Sequence, residues 1–488
     1  MKEHNTTSKV LKVMSIFTGV EGVGILCSII KNKLVAIWLS AVGIGLFTIF
    51  NQVIDTTSYL TSLGLRQSSV RDISRCRGDE SLLKRMIMAV RQWSLLAGLG
   101  GGLLLAALSW PLAEVIMGSG KYWWNFVLLG GVMLFNALYA GENAIFQGTE
   151  NYSRLARTGL ETAITGLLVS IPMYRWLGDN SVVYSIITYS VLGCVFAVIN
   201  RDRRYPYHLS RRLSLNEGRE FVRLGAYMSV AAFVSTLLQL IFISWLNVEV
   251  STYEAGLYGA GITLVVRYTG LIFNSVGMEF YPRISAHAES SHRVSVFVNH
   301  ESVLLLLIFT PLVLVLYMIL PLLIRLLYSS DFLPIEPMVS IGILSVLFRS
   351  VSVIMSYTLV AKGRGRLYMM TEIADSAIGL ILLISLYKVW GLPGIGIGLM
   401  ATHLIYMLMQ LYIYIKVFRL DIGISLVNNI ILSVVICVGA LFMRLMLPMA
   451  IWLPVMLVAV IWYLRQFSRL LRRRGVLGLK RSKGRVMK

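Results

Sequence analysis

The chain is predicted to be an all-α polytopic membrane protein of about fourteen transmembrane helices, built as two pseudo-symmetric six-helix lobes plus two C-terminal helices. Three observations lead there. Of its 488 residues 57% are hydrophobic and only 14% charged, with a mean hydropathy of +0.73, whereas soluble domains carry about a quarter charged residues. Apolar stretches of about 20 residues, the length that spans a bilayer, recur along almost the whole chain and leave no room for a large soluble domain. Finally, the stretch GLFTIFNQVIDTTSYLTSLGLRQSSVRDIS at 45–74 has an ungapped echo 211 positions on, where Gly256-Leu257-Tyr258 matches Gly45-Leu46-Phe47 and Arg283-Ile284-Ser285 matches Asp72-Ile73-Ser74. A period near 200 residues is too long for a solenoid, but duplicated helix bundles are a common transporter plan.

Taken in order, helices are predicted over 11–31, 42–64, 86–109, 123–147, 157–177 and 182–200. The first follows a basic segment without a signal-peptide cleavage site, so it is expected to be retained. The loop 201–220, RDRRYPYHLSRRLSLNEGRE, connects the lobes on the cytoplasmic side. Six more helices follow at 221–247, 257–282, 297–327, 335–361, 367–389 and 393–417. Pro311 and Pro321 are expected to break or kink the third of these, since neighbouring helices can satisfy the freed carbonyls. The lobes therefore cover 1–200 and 221–418; helices at 427–446 and 450–467 form an added segment, 419–467, before the tail 468–488. Glycines cluster at Gly98, Gly100, Gly101 and Gly102 and at Gly391, Gly394, Gly396 and Gly398. Without a soluble βαβ context they read as close helix packing rather than a nucleotide loop.

The net charge of +21 follows the membrane. Lysines and arginines concentrate on alternate connections, and the opposite side holds only Lys31, Lys33, Lys121, Arg175, Arg325, Lys388 and Arg444. By the positive-inside rule both termini are cytoplasmic. The polybasic tail is expected to anchor topology and attract anionic membrane lipids, with no nucleic acid as partner. Four cysteines, Cys27, Cys76, Cys194 and Cys437, show neither disulfide nor zinc spacing. No cofactor or metal is expected. Without HExxH, GxSxG or Walker sequences, and with short external loops, a transporter is expected rather than an enzyme.

Ionisable groups inside spans are costly, about 2.5–3.5 kcal/mol at the bilayer centre on insertion scales. The candidates are Glu21, Asp55, Glu142, Glu161, Arg267, Glu279, Arg349, Glu372, Asp375 and His403. For each, a structural pair or a snorkelling group stands beside a functional role. Arg267 and Arg349 lie deepest, and an arginine fork suits phosphate oxygens. On facing helices the two would make a mid-depth cationic site. Lys31 and Lys33 close the first helix, and Arg66, Arg71, Arg75 and Arg77 follow the second. These form either a collecting patch for an anionic head group or topological charge. Asp55, Glu142, Glu372 and Asp375 are candidates to balance the cations or to carry a coupling H+ or Na+. Glu372 and Asp375, three apart, share one helix face.

The run KNKLVAIWLSAVGIGLFTIFNQVIDTTSYLTSLGLRQSSVRDIS resembles the first two helices of Wzx-type polysaccharide flippases. The stretch 326–400, LLYSSDFLPIEP through GLPGIGIGLM, is similar to the tenth to twelfth helices of the branch that moves O-antigen or enterobacterial common antigen units. The resemblance covers most of 10–418 and rests on spacing and glycines. It implies two lobes rocking around a central cavity in the bacterial inner membrane. The implied substrate is an undecaprenyl-pyrophosphate-linked oligosaccharide, flipped to the periplasmic leaflet, with other polysaccharide-assembly membrane proteins as partners. A basic residue in similar flippases falls in the stretch of Arg349, which implies a pyrophosphate contact there; Arg267 has no such match. Helices beyond twelve leave room for the lipid II flippase branch, where the extra pair forms a lipid groove. Two other readings compete. A multidrug cation antiporter of the same superfamily would want an acidic, aromatic pocket. A membrane glycolipid polymerase or ligase would change its substrate's mass.

Overall fold

The computed structural model describes residues 22–62, 69–70, 72–74, 76, 78–205 and 215–483. Among them every regular element is helical. Glu21, Arg66, Arg71, Arg75 and Arg77 lie outside the described residues, as does most of the basic connector.

Chain order begins with α1 at 22–38, α2 at Ser40–Ser62, α3 at Glu80–Ala107, α4 at Ser109–Met117, α5 at Trp123–Gly148, α6 at Tyr152–Trp176 and α7 at Ser181–Ile199. It continues with α8 at Leu215–Glu249, α9 at Thr252–Ile262, a π turn at Thr263–Arg267, α10 at Tyr268–Ser285 and α11 at Ser291–Leu327. A 3-10 turn at Ser330–Ile335 leads into α12 at Glu336–Gly342, α13 at Ser345–Ala361, α14 at Gly365–Trp390, α15 at Leu392–Tyr412, α16 at Ile424–Met446 and α17 at Met449–Lys483.

Ten helical stretches among the described residues are long and apolar enough to cross a membrane, and α12 with α13 add an eleventh if their 50° bend marks one broken span. The other three predicted spans correspond to α1, α2 and α6. Helices α2 and α6, with 23 and 25 residues, have the length, but polar side chains such as Asn51, Gln52 and Asp55 or Arg154, Arg157 and Glu161 lower their hydropathy. Boundaries shift as well. Helix α1 runs on to 38, so Lys31 and Lys33 sit inside it rather than at its close. The expected helix 335–361 is two pieces, meeting at residues 343–344 between Gly342 and Ser345. Glycine and serine at such a junction are a recognised cause of sharp kinks. Conversely, α11 continues for 37 residues through both Pro311 and Pro321.

The chain forms two compact units, Met1–Gly259 with Leu326–Phe332, and Ala260–Arg325 with Leu333–Lys488. Within the first, α3 and α5 approach backbone to backbone: a Cβ on Gly102 would stand 2.8 Å from Gly130 O, and one on Gly98 only 3.0 Å from Leu134 Cα. The two echoed segments also meet there, since a Cβ on Gly45 would lie 3.0 Å from Gly256 N and one on Gly256 3.0 Å from Gly45 N. The shared glycines of the repeat thus serve close packing of α2 on α9. Asp79 caps α3 by accepting from Ser81 N at 2.9 Å and Leu82 N at 3.1 Å. Those bonds, first the one from Leu82, hold its carboxyl below the usual range.

In the second unit the C-terminal helices are tied down by polar contacts. Thr310 of α11 donates to Ser433 of α16 at 2.9 Å, and Tyr463 of α17 completes the buried hydroxyl trio at 3.3 Å. Arg444 of α16 donates to Ser340 of α12 at 3.1 Å and pairs with Glu336. In an apolar setting such interhelical bonds specify docking that hydrophobicity alone leaves loose.

Candidate functional site

Four helices of the second unit bring the polar groups together. On α14, Tyr368, Glu372 and Asp375 recur at helical spacing and so share a face. On α15, His403, Tyr406 and Gln410 do the same. Arg349 and Tyr357 come from α13, and Phe273 and Gly277 from α10.

The carboxylate side is partly satisfied. Tyr406 donates its hydroxyl to Glu372 Oε1, and Ser376 donates to the Glu372 carbonyl at 2.9 Å. Gln410 donates to Thr371 Oγ1 at 3.3 Å, bracing α14 on α15. His403 Nδ1 lies 3.0 Å from Leu399 O, a contact that needs the proton on Nδ1. Asp375 Oδ1 is buried without a hydrogen-bond partner.

The cation is less satisfied still. The half-buried Arg349 guanidinium lies 5.0 Å from the centroid of the Phe273 ring, a cation–π contact that leaves its five N–H donors unused. Among the described residues its side chain makes neither a hydrogen bond nor an ion pair. The charges of Asp375 and Glu372 act on it from a distance instead. Phe273 is itself fixed by stacking on Phe309, with centroids 4.6 Å apart and planes at 28°. Gly277 makes room for Tyr357, whose Cζ would stand 2.9 Å from a Cβ there. The result is a preorganised aromatic and carboxylate wall around an arginine fork with free donors, a geometry suited to bidentate phosphate oxygens.

The other expected residues are placed apart. Arg267 ends the π turn and is exposed, without a hydrogen bond or ion pair among the described residues. It precedes Phe273 by six residues, about 9 Å of helix, so it sits farther along the same rod and no bond joins it to Arg349. Lys31 packs 4.7 Å from the Phe47 ring centroid, and Lys33 donates to Tyr328 O. Asp55 is exposed on α2. Glu142 is buried in a two-pronged pair with Arg91, at 2.6 and 3.2 Å. Glu161 accepts from Arg157 at 2.8 Å and Asn200 at 2.6 Å, and Glu279 pairs with Arg283 at 3.2 Å. Sequence reasoning did not single out Phe273, Tyr357, Tyr406 or Arg91. The helical spacing of Tyr406 from His403 was the available signal for one of them.

The fold of these helices is like that of solved membrane flippases and exporters, a transporter of the MOP superfamily among them. The chain is similar to the lipid II flippase MurJ in an inward closed conformation, with TM-score 0.67 and 15% identity over 96% of this chain and 100% of that one. It is similar to an inward-facing multidrug resistance MATE family transporter, with TM-score 0.63 and 14% identity over 81% and 94% of the two chains. The Vibrio cholerae MATE transporter VcmN gives 0.58 and 15% over 83% and 98%. The profile of the polysaccharide biosynthesis protein family matches residues 34–337, more than half of the chain, and the protein belongs to that family. No curated protein matches by sequence.

Proposed function

We propose that the protein is a flippase that carries an undecaprenyl-pyrophosphate-linked oligosaccharide from the cytoplasmic to the periplasmic leaflet of the bacterial inner membrane, by alternating access, in surface polysaccharide (O-antigen or capsule) biosynthesis. The observation that carries this reading is Arg349, a guanidinium within a membrane helix whose donors find no acceptor among the described residues. A cation left so at depth is costly, and a pyrophosphate would supply both the charge and the acceptors. Glu372 and Asp375 balance Arg349 while the site is empty and repel the pyrophosphate once it is bound. Protonation of one carboxylate on each cycle would then link substrate affinity to a coupling ion. Residues 1–200 and 221–418 are the lobes that would rock, with both termini cytoplasmic. The likeness to MurJ, a lipid II flippase, is in keeping with a lipid-linked cargo.

The orphaned Asp375 oxygen beside Glu372 and Tyr406 favours a second reading, a cation antiporter of the same superfamily. Reconstitution separates the two. In proteoliposomes loaded with a labelled undecaprenyl-pyrophosphate oligosaccharide, a flippase changes the sidedness of the label without changing its mass. Unchanged sidedness together with pH-driven uptake of a cationic dye would establish the antiporter instead, and a change in mass would establish a polymerase or ligase.

A further inference from the structure

The first unit contains a cleft of about 400 Å³ where α6 begins and α7 ends, lined by Arg154, Arg157, Arg201, Arg203, Arg204 and Asp202 together with Ile199. Five arginines face one carboxylate across this space, and the local acids are already engaged. Asp202 takes Arg204 through both oxygens, at 2.8–3.2 Å, and Glu161 outside the lining takes Arg157 at 2.8 Å. The bond from Arg204 keeps the Asp202 carboxyl below its usual range, so it stays ionised and committed. Arg154 Nη1 is buried without a hydrogen-bond partner, its nearest carboxylate oxygen being 3.9 Å away on Asp202. Exposed Arg203 makes no hydrogen bond or ion pair among the described residues. The loop is also held in place, because buried Arg91 donates to Tyr205 O at 2.7 Å.

We infer that this cleft binds the phosphate of an anionic membrane phospholipid. Its position supports a lipid over a free ion. Helix α7 is a candidate span ending at Ile199, so the arginines stand where a bilayer presents head groups. Ile199 lines the cleft yet is 61% exposed, and Val195, one turn deeper on the same face, is 44% exposed. The phosphate would fill the vacant donors of Arg154 and Arg203 while an acyl chain runs down this apolar strip. Basic pockets between membrane helices recognise lipid head groups by this combination. The site is separate from Arg349 and does not rest on the transport reading.

Native mass spectrometry of the full chain in neutral detergent tests it, with dioleoyl phosphatidylglycerol, dioleoyl phosphatidylcholine and inorganic phosphate as probes. Retention of phosphatidylglycerol should exceed that of phosphatidylcholine and fall about tenfold in the Arg154→Gln/Arg203→Gln double variant, the scale of losing a charge-assisted bond. Asp202→Asn releases Arg204 and removes the competing charge, so it should raise retention, a gain that misfolding would not produce. Equal retention of the two lipids would overturn the inference, as would unchanged retention in the arginine double variant. Inorganic phosphate binding that the lipid fails to displace would assign the cleft to a free ion and overturn it too.

Discussion

Arg91 and Arg349 are both arginines in membrane-region helices, yet their surroundings are opposite. In the first unit, Arg91 and Glu142 are buried to 7% and 2% exposure, joined by two hydrogen bonds, with a third from Arg91 to Tyr205 O. In the second, Arg349 has an aromatic face and two carboxylates held back from contact. A desolvated charge is tolerated when its partner satisfies it, and breaking such a pair is far more costly than never having formed it. The closed pair therefore fixes structure, and the open cation is available to a ligand.

The largest expected effect comes from breaking the closed pair. Glu142→Ala leaves Arg91 buried and uncompensated and should destabilise the protein by about 3–5 kcal/mol, read as a large fall in Tm in detergent and poor membrane accumulation. Arg349→Ala should leave Tm nearly unchanged while reducing transport about 10–100-fold, equivalent to losing a charged hydrogen bond of about 1.5–3 kcal/mol. Arg349→Lys keeps the charge without the planar fork and should fall between the two. Equal losses of stability in the Glu142 and Arg349 variants would erase the distinction.

A smaller loss is expected where no charge is involved. Gly102→Val pushes a side chain against Gly130 O and should cost about 1–3 kcal/mol in overpacking, measured by Tm with transport intact in the surviving fraction. The smallest effect concerns Asp79. Its folded pKa is lowered, so the cap contributes fully above the ordinary aspartate range and is lost as pH falls through the lowered value. Asp79→Ala should remove that segment of the pH–stability curve and leave neutral-pH transport unchanged.

Much of this organisation is legible in the sequence because the bilayer imposes a length and a composition on every span. The glycines at 98 and 102 could be read as a packing face for the same reason, since only small residues let membrane helices touch, whereas Gly45 and Gly256 showed in the sequence only as marks of the repeat and their contact emerged with the structure. Arg349, Glu372 and Asp375 stood out through the cost of intramembrane charge. Arg91 did not, because it closes a tract rich in cations that the positive-inside pattern already explains. Phe273 and Tyr406 were hidden among 19 phenylalanines and 23 tyrosines, where only tertiary contacts distinguish a site wall from ordinary lining. The break at residues 343–344 carries no proline to mark it in the sequence, and Gly342 beside it packs close to Gly396.

Binding of undecaprenyl pyrophosphate to purified protein, compared between wild type and Arg349→Ala at matched Tm, tests the role of the open cation most directly. The expected result is an affinity about 10–100-fold weaker in the variant, with Arg349→Lys intermediate. Unchanged affinity in Arg349→Ala would contradict it.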